Sequence, residues 1–457
     1  MVKMFRTFIA VLAALLVLAA CSGGAGSGGT AGTADAGGTA AEADNAAESE
    51  GSASSDEVVT LKFMGWEASP LETQSVKKGL DAFMKQHPNI KVEYQPVPGA
   101  QYAQKLLTML AGNAAPDVFF LGAVEYRSFQ ERGVLLDLTS RFDAEMSLDD
   151  FIPSSAQIMQ IDGGIYGVSS CTVSPVLYYN KDLFDQAGLA YPPSDPEKAW
   201  TWEQFRDVAK QLTVKEGDDV KQYGAFGFEN FYMTTALIQS AGGKLFNAEG
   251  TAMEIDSPET QKVLQSIYDL RVVDGASPTA KTLESIGMRA AQMLQTGKVA
   301  MMVDGSWALQ ELATMGFPVG VAALPKFDAP STHGQAHVHA AWANTQHPDE
   351  AWELIKFLSS EEYQIDLISE GLWMPNRKSL YTEEGVAKWY NDQVHPEGFR
   401  ELVPFFAEAQ PYPFTLVRHM IVNDIITEET DKLWYAGQSV ADTTKNIQSR
   451  ANAEMAK

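Results

Sequence analysis

The sequence is poor in cysteine and in basic residues, and both shortages exclude classes of protein. Only Cys21 and Cys171 occur in 457 residues, so neither a disulfide framework nor a cysteine-based zinc cluster can be built. The chain has 34 basic residues against 59 acidic ones, which gives a formal net charge of −25 at pH 7. A nucleic-acid footprint needs a basic face to neutralise phosphates, so nucleic acid is excluded as a partner.

Motifs of common enzymes and cofactors are missing as well. The chain has no Gly-x-Ser-x-Gly, no His-Glu-x-x-His, no phosphate-binding Gly-Lys-Ser/Thr loop and no dinucleotide fingerprint. Beyond residue 20, no segment approaches the roughly 18 consecutive apolar residues of a transmembrane helix. We therefore expect neither an enzyme nor a cofactor. Among the functions considered, a glycosidase is the least expected. Sequence spacing cannot show whether two carboxyl groups lie at the separation that a glycosidase requires.

The amino terminus has the pattern of a lipoprotein leader. Lys3 and Arg6 precede an apolar run from Phe8 to Ala20, which has the length of a secretory signal and is short for a membrane span. Leu18-Ala19-Ala20-Cys21 then looks like the cleavage box of a bacterial lipoprotein. We expect residues 1–20 to be a signal peptide and Cys21 to be acylated, with palmitate as a typical chain. The alternative is an ordinary signal peptide with an incidental cysteine.

A flexible tether is predicted to follow the leader. Residues 22–57 contain neither an aromatic nor a basic side chain and are rich in Gly, Ala, Ser and Thr. Such a segment cannot bury enough apolar surface to offset its chain entropy. We therefore interpret residues 21–57 as a lipidated cysteine followed by a disordered tether, and residues 58–457 as the folded part.

The beginning of the folded part alternates between strand and helix patterns. Period-two or continuous apolar runs predict strands, and apolar residues at helical spacing predict helices between them. In order, the predicted elements are the strand Val58–Met64, the helix Glu72–Gln86, the strand Ile90–Tyr94, the helix Tyr102–Ala111 and the strand Val118–Leu121. This order predicts an α/β fold with parallel strands joined by right-handed crossovers.

Five segments, in a fixed order along the chain, carry a family resemblance. Together they resemble the extracellular solute-binding proteins of ABC importers, in the sugar-binding group (family 1, maltose-binding-protein-like). The segments are Phe83–Val92, Leu107–Phe119, Tyr178–Leu189, Gly297–Trp307 and His347–Leu358.

The resemblance implies a two-lobed fold of the periplasmic-binding-protein type II kind with a multi-crossing hinge. Lobe one would comprise residues 58–170 and 338–370, and lobe two residues 171–337 and 371–457. The Gly-, Ser- and Thr-rich segment Tyr166–Ser174 would be one crossing. By the same resemblance, a monomer held on the outer face of the cytoplasmic membrane would capture a carbohydrate between its lobes. It would then deliver that sugar to the permease subunits of an ABC transporter.

Candidate ligand contacts are loop residues that follow strands, where α/β proteins bind ligands. Aromatic rings can cover the C–H faces of a sugar, and carboxylates can accept hydrogen bonds from its hydroxyls. Positions after the first and third strands supply Trp66, Glu67, Glu125 and Tyr126. The candidates in and beside the segments of the resemblance in lobe two are Asn230, Tyr232, Asp304 and Trp307, and Trp342 and Trp373 are two further tryptophans. Asp304 has a helix-capping role as its alternative, and a core position is the alternative for Trp342. The full set is Trp66, Glu67, Glu125, Tyr126, Asn230, Tyr232, Asp304, Trp307, Trp342 and Trp373.

Two other kinds of ligand stay open at this point. A peptide or a polyamine could occupy the same cleft in place of a sugar. His333, His337 and His339 form a metal-like cluster, and two of them would share one face of a strand. No nearby acid or cysteine completes that cluster, so we expect no bound metal.

Overall fold

The computed structural model describes residues 58–217 and 219–457, so the predicted signal peptide, Cys21 and the tether lie outside the described residues. Thirteen strands are found in this part of the chain. They are β1 Val59–Glu67, β2 Ile90–Pro98, β3 Val118–Leu121, β4 Gln160–Ile161, β5 Gly164–Ile165, β6 Gly167–Val173, β7 Pro175–Asn180, β8 Val214–Glu216, β9 Asp219–Phe226, β10 Val299–Gly305, β11 Val319–Ala322, β12 His333–Ala341 and β13 Gln410–Pro411.

Helices connect these strands and make up most of the carboxyl-terminal third. They are α1 Pro70–Gln86, α2 Gly99–Ala111, α3 Ala123–Glu131, α4 Thr139–Glu145, α5 Pro153–Met159, α6 Lys181–Ala187, α7 Trp202–Gln211, α8 Phe231–Ser240, α9 Pro258–Tyr268, α10 Ala280–Ile286, α11 Ala290–Gln295, α12 Ala308–Thr314, α13 Pro348–Leu358, α14 Glu361–Ser369, α15 Glu383–Trp389, α16 Phe399–Ala407, α17 Ile421–Ala436 and α18 Val440–Met455. Within the described residues, every helix is too short or too polar to cross a bilayer.

The first sheet begins as the sequence predicts. β1 pairs in parallel with both β2 and β3, and the strand order is β13-β12-β3-β1-β2, with β6 beside β12. On α1, Val76, Leu80 and Phe83 lie on one face and are each less than 5% exposed. Burying such side chains contributes about 1.5–3 kcal/mol each, so the helical apolar spacing is what fixes α1 on the sheet.

A late strand completes the first sheet in the opposite direction. β12 runs antiparallel to β3 and to β6, with Ala341 opposite Val118 and Val338 opposite Leu121. The chain reaches β12 only after it has built a second sheet, of order β11-β7-β10-β9-β8. In that second sheet β10 is parallel to β9 and antiparallel to β7.

The two sheets are joined by short crossings that lie side by side. β6 is buried throughout and extends to Val173, and β7 begins at Pro175, so the first crossing is at Ser174. The backbone N–H of Thr172 donates to the carbonyl of Met374 at 3.1 Å, and the N–H of Met374 donates back at 2.9 Å. Most of the segment predicted as a crossing, Tyr166–Ser174, is therefore a sheet strand, and the first sheet extends a few residues past the predicted limits 170 and 338.

Glu429 anchors the carboxyl-terminal helix pair α17–α18. Its carboxylate is 2% exposed and accepts hydrogen bonds from four side chains, namely Lys432 at 2.8 Å, Gln438 at 2.9 Å, Asn446 at 3.3 Å and Arg450 at 2.5 Å. Burial alone would raise the pKa of Glu429, but these donors outweigh it and lower the pKa to about 2. A charge buried in this way stabilises the fold only while its partners are present.

We expect Glu429→Gln to lower the free energy of unfolding by about 1–3 kcal/mol at pH 7, because a buried set of charged donors loses its anionic acceptor. The folded-state pKa lies below the ordinary value of 4.5, so this stabilisation is complete above about pH 4.5 and is lost as the pH falls toward 2. Urea denaturation at pH 7 and in acid measures both effects. Glu428→Gln is the control, since the half-exposed Glu428 shares the partners Lys432 and Arg450. Equal losses in the two variants would contradict this account.

Candidate functional site

The edges of the two sheets that carry the candidate residues meet at the crossings. In the first sheet the edge is formed by the carboxyl ends of β1 and β3, and in the second by those of β9 and β10. The N–H of Ser306, just after β10, donates to the carbonyl of Ser174 at 2.9 Å. The hydroxyl of Tyr232 donates to the carbonyl of Val173, the last residue of β6, at 3.0 Å. Residues that follow strands of both sheets are thereby brought to one place.

An aromatic group occupies the first-sheet edge. Trp66 stacks on Tyr102, with ring centroids 6.0 Å apart and planes 13° apart. Trp373 stacks on Phe120 at 5.9 Å and 11°, and Trp66 meets the same Phe120 edge to face at 6.3 Å. The structure therefore brings together Trp66 and Trp373, which are more than 300 positions apart in sequence.

Trp373 also has an unusual backbone. Its φ of +65° lies in the left-handed region, which bulky residues rarely adopt. Strain of this kind persists only where the surrounding structure imposes it, and it is concentrated at functional sites. The neighbouring residue Met374 is held by its two backbone bonds to Thr172.

Glycines make room for two of the candidate tryptophans. A Cβ on Gly99, the first residue of α2, would lie 2.0 Å from Nε1 of Trp66. A Cβ on Gly305, the last residue of β10, would lie 2.0 Å from the ring of Trp307. Both contacts are far below any normal carbon distance, so each ring occupies space that a larger residue would fill.

Acidic side chains accompany these rings. Glu67 follows Trp66 and accepts a hydrogen bond from the hydroxyl of Thr73. Glu125, in the first turn of α3, shares a cavity of about 40 Å³ with Trp66 and Tyr102, and burial raises the pKa of its carboxyl group. These two carboxyl groups and Trp66 form the polar and apolar parts of the first-sheet edge.

Asp304 plays the corresponding part on the second sheet. Its carboxylate accepts from the N–H of Gly305 at 2.8 Å, and burial raises its pKa to about 6. The first residues of α12 receive no side-chain cap, so the helix-capping alternative for Asp304 is wrong. Trp307 lies three residues after Asp304, and its ring centroid is 5.9 Å from that of Tyr232.

Asn230 and Tyr232 lie at the start of α8, beside Trp307. Asn230 is exposed and caps the helix, because its side-chain oxygen accepts from the N–H of Tyr232 at 3.0 Å. Glu229, the residue before Asn230, accepts from the N–H of Gly227 at 3.3 Å, and burial raises its pKa. The amide nitrogen of Asn230 and the ring of Tyr232 are the groups left for a ligand.

Two predicted contacts lie away from this place. Tyr126 is fully buried, and its hydroxyl donates to the carbonyl of Met159 at 3.0 Å and accepts from the N–H of Tyr166 at 2.9 Å. Trp342 follows Ala341, which pairs with Val118 at the amino end of β3, so Trp342 lies at the opposite edge of the sheet from Trp66. The prediction failed for Trp342 because the strand direction of β12 could not be read from the sequence.

The three histidines do not converge on one point. His333 packs against Tyr232 and Tyr412, and its Nε2 lies 2.9 Å from the carbonyl oxygen of Tyr232. His337 and His339 instead pack against Phe120, with centroids at 5.0 and 5.1 Å. Burial lowers the pKa of each, to between about 3 and about 4. Within residues 58–217 and 219–457, no group of three potential metal ligands is formed.

Phe120, Tyr102 and His337 are part of the aromatic group but were not predicted. Phe120 belongs to the continuously apolar strand β3, where every residue resembles core, and no sequence signal separates it from Phe119. Tyr102 supports the group by donating its hydroxyl to the carbonyl of Met64 at 3.0 Å. These residues are recognisable only once the strands are aligned.

Comparisons with known proteins agree with this architecture. The family profile for bacterial extracellular solute-binding proteins matches residues 68–365. An uncharacterised lipoprotein of Streptomyces antibioticus is 28% identical over 338 residues, which are 70% of this chain and 71% of the relative. The ABC substrate-binding protein of Listeria monocytogenes in complex with cycloalternan has a TM-score of 0.77 at 24% identity, over 88% of this chain and 100% of that one.

A further solved structure, the maltose-bound MalE3 of T. maritima, has a TM-score of 0.72 at 25% identity and covers 86% of this chain and 99% of that one. The agreement in fold extends over nearly the whole described chain. The predicted α/β fold with two lobes is therefore confirmed.

We expect Gly99→Ala to displace the indole of Trp66, because the new Cβ would clash with Nε1. Trp66→Phe should remove a defined component of the wild-type near-ultraviolet circular dichroism spectrum, and Gly99→Ala should alter the same component. Gly112→Ala, just after the other end of α2, is the matched control, since its nearest contact would be an ordinary 3.4 Å. An identical spectrum for Gly99→Ala and the wild type would show that the ring is not held by this glycine.

Proposed function

The chain belongs to the bacterial extracellular solute-binding proteins, and on this premise we propose that it captures a carbohydrate between two lobes and delivers it to an ABC permease. One observation carries the proposal. Trp66 with Glu67 and Trp307 with Asp304 are aromatic–carboxyl pairs on different sheets, brought to one place by the crossings.

Such pairs suit the two surfaces of a sugar. A pyranose presents flat C–H faces that pack against indole rings, and a rim of hydroxyls that donate to carboxylates. Four acids, Glu67, Glu125, Glu229 and Asp304, lie beside the rings. Arg271 partly offsets the effect of burial on the pKa of Glu229, and Arg127, two residues after Glu125, donates to the carbonyls of Gln160 and Thr415. A neutral polyol therefore fits the site better than an anionic solute, which the four acids would repel.

The crossings supply the means of closure. A ligand held first by one lobe gains contacts from the other only when the lobes close, so it shifts a hinge equilibrium toward the closed state. Ser174 lies between two buried strands and next to Ser306, so rotation there would change the distance between Trp66 and Trp307. We take the closed, liganded form as the one that docks on the permease.

The lobe limits are part of the same proposal. We propose that lobe one consists of about residues 58–170 and 338–370 and lobe two of about residues 171–337 and 371–457, with β6 and β12 of the first sheet extending a few residues past these limits. We also propose that the protein acts as a monomer without catalytic activity. The solved structures that share the fold are described as binding proteins in complex with cycloalternan or maltose, which supports binding over catalysis.

A thermal-shift panel of maltose, maltotriose, galactotriose, arabinotriose, a tripeptide and spermidine tests the ligand class, because binding to the folded state raises the melting temperature. We expect a sugar to give the largest shift. Trp307→Ala should then weaken binding of that sugar by about 1–2 kcal/mol, or about 5- to 30-fold by calorimetry, since stacking area is lost. Trp342→Ala, at the opposite sheet edge, should leave the affinity unchanged.

The proposal has clear alternatives in the same experiment. A shift with the tripeptide or spermidine and with no sugar would overturn the carbohydrate assignment. Equal affinity losses for Trp307→Ala and Trp342→Ala would overturn the placement of the site.

We further propose that Cys21 anchors the protein to the outer face of the cytoplasmic membrane. The cleavage-box sequence before Cys21 and the lipoprotein relative support this location. In cells fed labelled palmitate, the wild type should carry the label and sediment with membranes, whereas Cys21→Ser should lose both properties. Label retained in Cys21→Ser would contradict acylation at this residue, and Cys171→Ser controls for the other cysteine.

A further inference from the structure

Glu72 is a buried acid that the binding scheme above does not use. It lies in the first turn of α1 and is only 4% exposed. In the described part of the chain, no ion pair involves it, and its carboxylate accepts hydrogen bonds from backbone N–H groups. A buried carboxyl group without a cation lowers folding stability, so its presence calls for a role elsewhere.

The contacts of Glu72 lead directly to residues 68 and 69, which follow Trp66 and Glu67 at the end of β1. The carboxylate of Glu72 accepts from the N–H of Ala68 at 2.5 Å. In return, the hydroxyl oxygen of Ser69 accepts from the N–H of Glu72 at 3.1 Å. This reciprocal pair resembles a capping box, and it ties residues 68 and 69 to the first turn of the helix.

Thr73, the next residue of α1, donates its hydroxyl to the carboxylate of Glu67. Two successive residues of the helix therefore hold the last residue of β1 and the short link from β1 to α1. Trp66 is the last residue but one of β1, directly before this link, so we expect its ring orientation to depend on where the link is held.

Glu72 also lies directly behind the aromatic rings. It lines a cavity of about 10 Å³, whose other walls include Trp66, Phe120 and Trp373. The titratable groups that face it come from five elements: Glu67 on β1, Tyr94 on β2, Cys171 on β6, His339 on β12 and Tyr363 on α14. None of them is a lysine or an arginine.

These neighbours leave Glu72 as the group that changes charge near neutral pH. Burial raises the pKa of Glu72 to about 7; the N–H groups of Ala68 and Ser69 lower it, and Glu67 raises it. Burial lowers the pKa of His339 to about 3, so that ring stays neutral. Burial raises the pKa values of Tyr94, Tyr363 and Cys171, so these groups also stay neutral.

We propose that Glu72 is a positioning residue for the end of β1 that carries Trp66 and Glu67, and that proton uptake by Glu72 loosens the link at residues 68 and 69 and weakens ligand binding. The inference rests on the proposed function, because it takes Trp66 and Glu67 as ligand contacts. An ionised carboxylate accepts about twice as strong a hydrogen bond as a neutral acid, so protonation weakens the bond from Ala68.

The direction of the pH effect follows from linkage. If the ionised form of Glu72 favours the binding-competent arrangement of this link, affinity must fall as the pH falls from 8 to 6, and binding must release protons in that range. Glu72→Gln keeps the shape of the side chain and imitates its protonated form at every pH. Ser69→Ala removes the other half of the reciprocal pair without removing a titrating group.

The test measures the affinity of the panel sugar with the largest thermal shift by calorimetry at pH 6, 7 and 8. We expect wild-type affinity to rise about threefold to tenfold from pH 6 to pH 8, the difference between a neutral and a charge-assisted hydrogen bond. Glu72→Gln should have the wild-type pH 6 affinity throughout. Ser69→Ala should bind more weakly at all three values but keep the wild-type slope.

Hydrogen–deuterium exchange without sugar gives a second measurement on the same link. After correction for the intrinsic pH dependence, the peptide containing Ala68 should be less protected at pH 6 than at pH 8 in the wild type. In Glu72→Gln, the same peptide should be equally unprotected at pH 6 and at pH 8. The peptide from α18 controls for global opening.

The outcomes separate the two proposals. If sugars bind but Glu72→Gln and the wild type have the same pH profile, the role of Glu72 is overturned and the carbohydrate function stands. If no sugar in the panel binds, the function fails and the inference that rests on it fails too. A slope retained in Glu72→Gln but lost in Asp304→Asn would assign the pH dependence to Asp304 instead.

Discussion

The paired backbone bonds between Thr172 and Met374 tie the end of β6, where the chain leaves the first sheet, to the segment that follows α14. At the crossing that comes directly after β6, the carbonyl of Ser174 accepts from the N–H of Ser306, so the carboxyl end of β10 lies beside the end of β6. Trp373, next to Met374, has a left-handed backbone with a φ of +65°.

Aromatic rings and buried acids share the place where the sheets meet. Trp66 and Trp307 each lie against a glycine, so the space for each ring is created by the absence of a side chain. Burial raises the pKa values of the acids Glu125, Glu229 and Asp304. A site built in this way favours uncharged ligands with many hydroxyl groups, and its own acids are poised to respond to pH.

Local patterns predicted the first five elements of the fold well, because each one has a strong period and a clear terminator. Val76, Leu80 and Phe83 recur at helical spacing, and they form the buried face of α1. The parallel pairing of β1 with β2 and β3 followed from the strand–helix alternation. The antiparallel direction of β12 could not be predicted, because it depends on a return path from a distant second sheet.

The candidate site residues likewise divide into those that local position indicates and those that depend on the tertiary structure. Position after the predicted strands indicated Trp66, Glu67 and Glu125, and the structure places all three at the carboxyl ends of β1 and β3, since the carboxyl ends of parallel strands share an edge. The same rule placed Tyr126 beside Glu125, although one helical step turns its side chain into the core. Phe120 and Glu72 gave no signal, because an apolar strand residue and an acid in the first turn of a helix are both ordinary in sequence.

The sequence by itself determined the order of the first five elements and the family, and it predicted a leader and an aromatic and acidic cleft, because these depend on local periodicity and on short motifs. Only the tertiary structure decided which aromatic rings meet, which acids are buried and which backbone groups hold the end of β1. Those properties depend on strand direction and on contacts between residues hundreds of positions apart, such as Phe120 with Trp373. Contacts of that kind are set by packing, which no local pattern in the chain records.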